Sequence, residues 1–154
     1  MDRLPNRLAG APTFLTTQLA THAHRLASEA FETAGARGYH YRALATLAEH
    51  GPLSQADLGR SVNMDRSDVV AAMSELEALG QVERHPDPDD GRRRMVRITT
   101  AGRRQLGRLD RALSVAQEGF LAPLATGDRA RLTSLMATLL AHHAGDGPSG
   151  TGRS

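Results

Sequence analysis

The 154-residue chain contains no cysteine. Disulfides, thiolate catalysis and thiol-based redox sensing are thereby excluded. Lysine is also missing, so all nineteen basic residues are arginine. A GC-rich coding sequence explains that bias better than selection for bidentate contacts does, and the planar guanidinium fork is available in both cases. There is no tryptophan, and three Phe and two Tyr leave little capacity for aromatic stacking. No apolar run approaches the ~20 residues of a membrane span, and the start Met1-Asp2-Arg3 lacks a leader-type apolar core. The expectation is a soluble, cytoplasmic protein without membrane partners, of one domain or two small lobes around one core.

What is present is an uneven distribution of charge. The formal net charge is only +2, yet the stretch from Gln81 to Arg111 holds nine Arg against five acidic residues, whereas Ala11 to His50 holds three of each. Within the basic stretch, residues 83–99 read as two short strands joined by an Arg-bearing turn. Pro86, Pro88 and Gly91 keep that turn out of a regular ladder, and five Arg would resist burial, so the finger points outward. An anionic groove is its natural destination, and a local basic excess is the footprint of a nucleic-acid surface. A plain solvated charge cluster is the bland alternative. Asp90 stands two residues before Arg92 across Gly91, close enough to orient the guanidinium. An Arg at such a tip fits a narrow minor groove, with Arg93, Arg94 and Arg97 as flank charges for phosphate or for intramolecular pairs.

Around the finger the periodicity is helical. Leu15, Leu19, Ala23, Leu26 and Ala30 predict a long helix over about 13–34 that ends near Gly35 and Gly38. Tyr41, Leu44, Leu47 and Ala48 mark a second, stopped by Gly51-Pro52. Ser54-Gln55-Ala56-Asp57 opens a short third with a capping-box-like start. Asp65 caps a fourth over about 66–79, closed by Gly80. After the strands, Thr99 caps a fifth helix bearing Leu106, Leu109 and Leu113, and Pro123 separates it from a sixth capped by Thr126, with Leu132, Leu135, Met136, Leu139 and Leu140.

The layout predicts a mainly α fold with a small β-hairpin: a winged helix-turn-helix flanked by N- and C-terminal dimerisation helices. The boundaries follow as a flexible arm over 1–11, a helical dimerisation region over 12–36 and 103–144, a DNA-binding domain over 37–102 and a disordered tail over 145–154. The outer helices carry apolar stripes that the central module does not need for its own core, which points to pairing with a second copy. Packing within one chain is the alternative.

On the fourth helix, Val69, Ala72, Met73, Leu76 and Leu79 fall on one face and Ser67, Ala71, Ser74 and Ala78 on the other. Small side chains let a helix backbone approach a groove floor. Arg66, Ser67 and Ser74 are therefore candidates for base or phosphate contact, and Ala71 for a thymine methyl. Asp65 and Asp68 suit the helix N-terminus but repel phosphate there, which shifts affinity onto the finger.

Seven histidines do not make a metal site in sequence. His22 and His24 are two apart and His142 and His143 adjacent, neither at the i, i+3 or i, i+4 spacing that converges on an ion; His50 and His85 are expected to face solvent near turns. No nucleophile elbow, paired-carboxylate or phosphate-loop pattern occurs. No catalytic residue, metal or cofactor is expected.

Asp87-x-x-Asp90-x-Arg92-x-x-x-Val96-x-Ile98-Thr99-x-x-Gly102, preceded by Leu53-Ser54-Gln55-Ala56-Asp57-Leu58 and by residues 76–84, resembles the MarR family of bacterial transcription regulators. The likeness is close over about 39–102 and one of layout beyond. It implies a homodimeric repressor on a pseudo-palindromic double-stranded operator, with Ser54 and Gln55 at the DNA backbone, the helix from Arg66 in the major groove, and Arg92, positioned by Asp90, in the minor groove. It also implies release by a small aromatic or phenolic effector held between the dimer helices and the DNA lobe, with His22, Phe31, His40 and Tyr41 as candidate lining residues. Asp68 and Ala71 depart from the family pattern, which usually has a Ser or Thr and a larger polar residue there. Two other readings stay open: a winged-helix interaction module for an acidic protein partner, and a metal-responsive regulator.

Overall fold

The computed structural model describes residues 4–145. A single turn of helix, α1 (Asn6–Ala9), precedes the long α2 (Pro12–Thr33) and α3 (Gly38–His50); β1 (Leu53–Ser54) leads into α4 (Gln55–Val62) and α5 (Arg66–Ala78). Strands β2 (Val82–Pro86) and β3 (Arg94–Ile98) form the finger, and α6 (Thr100–Leu121) and α7 (Thr126–Gly145) follow. The chain divides into two units, residues 1–117 and 118–154.

The first unit is organised by what its helices bury. Leu44 and Leu47 of α3, Leu58 of α4, Met73 and Leu76 of α5, Val82 and Val96 of the strands and Leu109 of α6 are all under 2 % exposed. Each buried side chain of this kind is worth ~1.5–3 kcal/mol relative to exposure. The helical spacing in α3 and α5 therefore selects one core-facing stripe on each. Gly102 closes this core from the α6 side: a Cβ there would lie 2.0 Å from the Gln81 carbonyl oxygen, so only glycine lets α6 approach. Thr99 fixes the same corner, accepting the Gly102 N–H at 3.0 Å and donating to the Gly80 carbonyl at 2.6 Å.

Several expectations are corrected. The hairpin is part of a three-stranded antiparallel sheet of order β1-β3-β2, with Leu53 opposite Val96 and Ser54 opposite Met95. A two-residue strand has no periodicity to read, because its existence depends on β3 lying beside it. Within the arm expected over 1–11, the Pro5 carbonyl accepts from Leu8 and Ala9 and so starts α1, which Gly10 ends. Leu79 lies at the C-cap of α5 and is 56 % exposed, because the helix stops before the core face returns. Asp65 occupies the N-cap of α5 without a side-chain capping bond. At α7 it is the Ala125 carbonyl that accepts from Asp128 and Arg129, which makes Thr126 the first helical residue rather than the cap. Gly145 ends α7; the remainder of the predicted tail, 146–154, lies outside the described residues.

In the second unit α7 buries none of its residues: Leu135, Met136, Leu139 and Leu140 are 53–71 % exposed.

Candidate nucleic-acid interface

The α4–turn–α5 pair is set by short-range chemistry. Ser54 caps α4, its hydroxyl accepting the Asp57 N–H at 3.1 Å and donating to the Asp57 carboxylate at 2.6 Å. That hydroxyl is buried and spent inside the cap. Asn63 ends α4 in the left-handed conformation at φ 52°, which turns the chain toward α5. Gly59 lies against Val69, where a Cβ would come within 3.0 Å of the valine methyl, so the two helices pack closely. An open cleft of about 770 Å³ lies beside this turn, lined among others by Gln55, Arg60, Asn63, Arg66, Val69 and Val70. Gln55 is half-buried, and its Nε2 has no hydrogen-bond partner among the described residues.

Helix α5 presents Ser67, Ala71, Ser74 and Ala78 outward, with Arg66 exposed at its first turn. The Ser74 hydroxyl donates back to the Val70 carbonyl at 3.0 Å and accepts weakly from Arg84 at 3.5 Å. Much of its hydrogen-bonding capacity is thus already engaged. Arg84 also pairs with Glu77 at 3.4 Å, tying β2 to α5.

The tip between β2 and β3 is held by its own carboxylates. Asp87 Oδ1 accepts the Asp89 N–H at 2.9 Å, Asp90 Oδ1 accepts the Arg92 N–H at 3.0 Å, and the Arg93 N–H reaches the Asp90 carbonyl at 2.9 Å. Asp90 therefore grips the Arg92 backbone rather than its guanidinium, because an i, i+2 Asx turn satisfies the carboxylate first. Arg93 does not flank the tip freely: its guanidinium reaches the Asp57 carboxylate at 3.3 Å and pins the wing to α4. Arg97 is paired with Glu83 across the strands. Arg92 and Arg94 are exposed and carry no ion pair among the described residues. Asp57 joins the cap and the wing. The Ser54 hydrogen bond first, and then the Arg60 and Arg93 guanidiniums, hold its carboxyl below the ordinary carboxylate value.

A second cluster fixes α5 from behind. Tyr39 donates to Glu75 at 2.8 Å, and buried His40 meets the same carboxylate oxygen at 2.7 Å. The His40 Nδ1 accepts the Arg37 N–H at 3.1 Å, so in the neutral ring Nε2 carries the proton donated to Glu75. Hydrogen bonds from Tyr39 and then from His40 hold the Glu75 carboxyl below its usual value.

Comparison with known proteins now bears on this geometry. The MarR family model matches residues 36–93. A protein assigned as transcriptional regulatory protein for the hcr operon of Thauera aromatica is 31 % identical over 99 residues, covering 64 % of this chain and 60 % of that protein. A crystal structure of a protein assigned as a transcriptional regulator from Pseudomonas aeruginosa is 32 % identical, with a TM-score of 0.74 over 86 % of this chain and 99 % of that one. The chain belongs to the MarR family. The PcaV transcriptional regulator of Streptomyces coelicolor, solved with its natural ligand, is 28 % identical, with a TM-score of 0.70 over 92 % of this chain and 98 % of that one. Against the curated hcr-operon relative the chain spans about 60 % of the length. The family's role is regulation of transcription and not catalysis.

Of the ligand-lining candidates implied by the MarR likeness, the structure joins two. Phe31 and Tyr41 stack with ring centroids 4.9 Å apart, and Tyr41 donates to Asp110 of α6 at 3.0 Å. Desolvation, and next that hydrogen bond, raise the Tyr41 hydroxyl above the ordinary tyrosine value. His40 is engaged by Arg37 and Glu75. His22 is exposed nine residues before Phe31 on α2, about 13 Å along the axis. His85 is half-buried rather than solvent-facing, with Nδ1 against the Pro86 carbonyl at 3.1 Å.

Sequence reasoning missed Asp57 as the hub of cap and wing, and the Tyr39–His40–Glu75 cluster. The capping-box spacing pointed to Asp57, but its partner Arg93 is 36 residues away. Val70 was also passed over, although it is 47 % exposed beside Arg66. Its place in an i, i+4 row with Arg66 and Ser74 was readable from the wheel.

Proposed function

We propose that this chain acts as a cytoplasmic homodimeric repressor that binds a pseudo-palindromic double-stranded operator and is released by a small aromatic or phenolic effector. The observation that carries the DNA reading is the coexistence, in one unit, of an outward α5 face without bulky side chains and a wing whose unpaired guanidiniums are Arg92 and Arg94. The small face admits α5 to a major groove, with Arg66, Ser67, Ala71 and Ser74 nearest the bases. Gln55 meets the DNA backbone at the start of α4, and Ser54 acts there through the cap that its hydroxyl makes with Asp57. Asp90 shapes the tip, Arg92 enters the minor groove, Arg94 meets phosphate, and Arg93 acts by holding the wing against α4.

Two copies are required for a twofold site, and the open stripe of α7 supports pairing. Leu135 and Leu139 are one turn apart, as are Met136 and Leu140, and all are exposed. Half-sites about 10 bp apart follow. For the effector, PcaV offers a relative with a bound natural ligand, and here the Phe31–Tyr41 stack links α2, α3 and, through Asp110, α6.

The test is titration of selected operator DNA by wild type and Arg92→Ala over a salt series. Loss of affinity, with the log–log salt slope reduced by ~1 per lost phosphate neighbour, is the expected result. An unchanged slope and affinity overturn the wing's assigned role.

A further inference from the structure

Val70 is an exception on α5. The other apolar residues at positions 69–76 of the helix, Val69, Ala72, Met73 and Leu76, are under 4 % exposed, apart from Ala71 with its single methyl. Val70 is 47 % exposed and is not part of the core. Its place on the helix is specific: one turn after Arg66 and one turn before Ser74, at the rim of the cleft that Gln55 and Arg66 also line. Covering this branched aliphatic side chain with an apolar group is favourable, and its place on the helix sets which group can do so.

The polar groups around it narrow what that group is. The Ser74 hydroxyl donates to the Val70 carbonyl and meets Arg84, and Glu75 is occupied by Tyr39 and His40. Arg66 and Ser67 carry no side-chain hydrogen bond or ion pair among the described residues. At the leading half of α5 the groups left to touch a base edge are the Arg66 guanidinium, the Ser67 hydroxyl, the Asp68 carboxylate, which repels phosphate, and the methyls of Val70 and Ala71. The C5-methyl of thymine is the one apolar group a B-form major groove exposes.

We infer that Val70, with Ala71 beside it, is a specificity-determining residue that selects thymine by methyl contact in each half-site. The inference rests on the DNA-binding reading above. Preference at that position then comes from shape and desolvation rather than from hydrogen bonds. Arg66, one turn earlier, has the bidentate fork suited to guanine O6 and N7.

The experiment uses the full chain. A half-site is first obtained by selection from random duplexes at ~150 mM salt, where non-specific attraction is weak. Each thymine is then replaced singly by deoxyuridine, which deletes only the methyl, and binding is measured for wild type, Val70→Ala and Val70→Thr. Wild type should lose about fourfold in affinity at one thymine of the half-site, the factor expected from one buried methyl. Val70→Ala should lose most of the thymine-over-uracil preference at that position, and Val70→Thr, which keeps one methyl, should fall between. Because the side chain is exposed, an unchanged melting temperature checks that the variants are folded. Equal uracil sensitivity in wild type and Val70→Ala, or no methyl-sensitive thymine in the selected site, overturns the assignment while leaving DNA binding intact. Failure to select any sequence overturns the DNA reading itself and this assignment with it.

Discussion

The helices of the first unit and helix α7 both carry leucines at helical spacing, yet they finish differently. Leu44, Leu47, Leu58 and Leu76 are fully covered within one chain, whereas Leu135, Leu139 and Leu140 are more than half exposed. Spacing alone makes an apolar stripe; it does not say where the stripe's partner is. In the first unit the partners are β3, α4 and the start of α6, brought in by tight corners at Gly59 and Gly102. In α7 no residue is buried. The same pattern therefore serves as a core in one place and stays an uncovered stripe in the other.

The comparison breaks most sharply in the core. Leu76→Ala should cost ~2–5 kcal/mol, the range for truncating a fully buried leucine, read as a lower denaturant midpoint; a cost under ~0.5 kcal/mol would show that the site is not closed within the chain. At α7, Leu139→Asp should leave the folded first unit intact but weaken self-association by about 10- to 100-fold, following the ~1.5–3 kcal/mol of a buried leucine. Sedimentation over a concentration series measures this, and an unaltered association constant would mean that another surface closes the stripe. Gly102→Ala should destabilise by ~1–3 kcal/mol, since α6 must retreat from the Gln81 carbonyl; calorimetry checks it, with Gly119→Ala as a control because open space surrounds that glycine.

The smallest effect concerns pH. Asp57 and Glu75 bind protons more weakly in the fold than in the unfolded chain. Their contribution is thus complete above the ordinary carboxylate values and is lost as pH falls through the lowered ones, below about pH 4. Asp57→Asn should flatten the acid limb of the stability curve while leaving any self-association constant unchanged. An acid limb identical to wild type would remove Asp57 from the link between cap and wing.

How far the sequence could be read follows the same division. The bounds of α2 and α5, the Ser54 and Thr99 caps and the outward small face of α5 were all legible, because each depends on residues within one or two turns. Asp90 was placed correctly in the tip, but its bond goes to the Arg92 backbone, where the geometry of a two-residue turn outcompetes a mobile side chain. Arg93 read as a charge for phosphate or for an intramolecular pair, and its carboxylate, Asp57, could not be named because it is remote in sequence. The partner of His40 was out of reach for the same reason, Glu75 being 35 residues away.

Periodicity, caps and turn chemistry are local and follow from neighbouring residues: which helices form, which faces are apolar and where an arginine-bearing tip projects. Which arginines stay unpaired among the described residues, that Leu53–Ser54 becomes a third strand, that Val70 stays in water and that α7 keeps its stripe uncovered all follow from the fold. Those outcomes depend on which distant groups meet, and burial and ion pairing are properties of the meeting rather than of either segment.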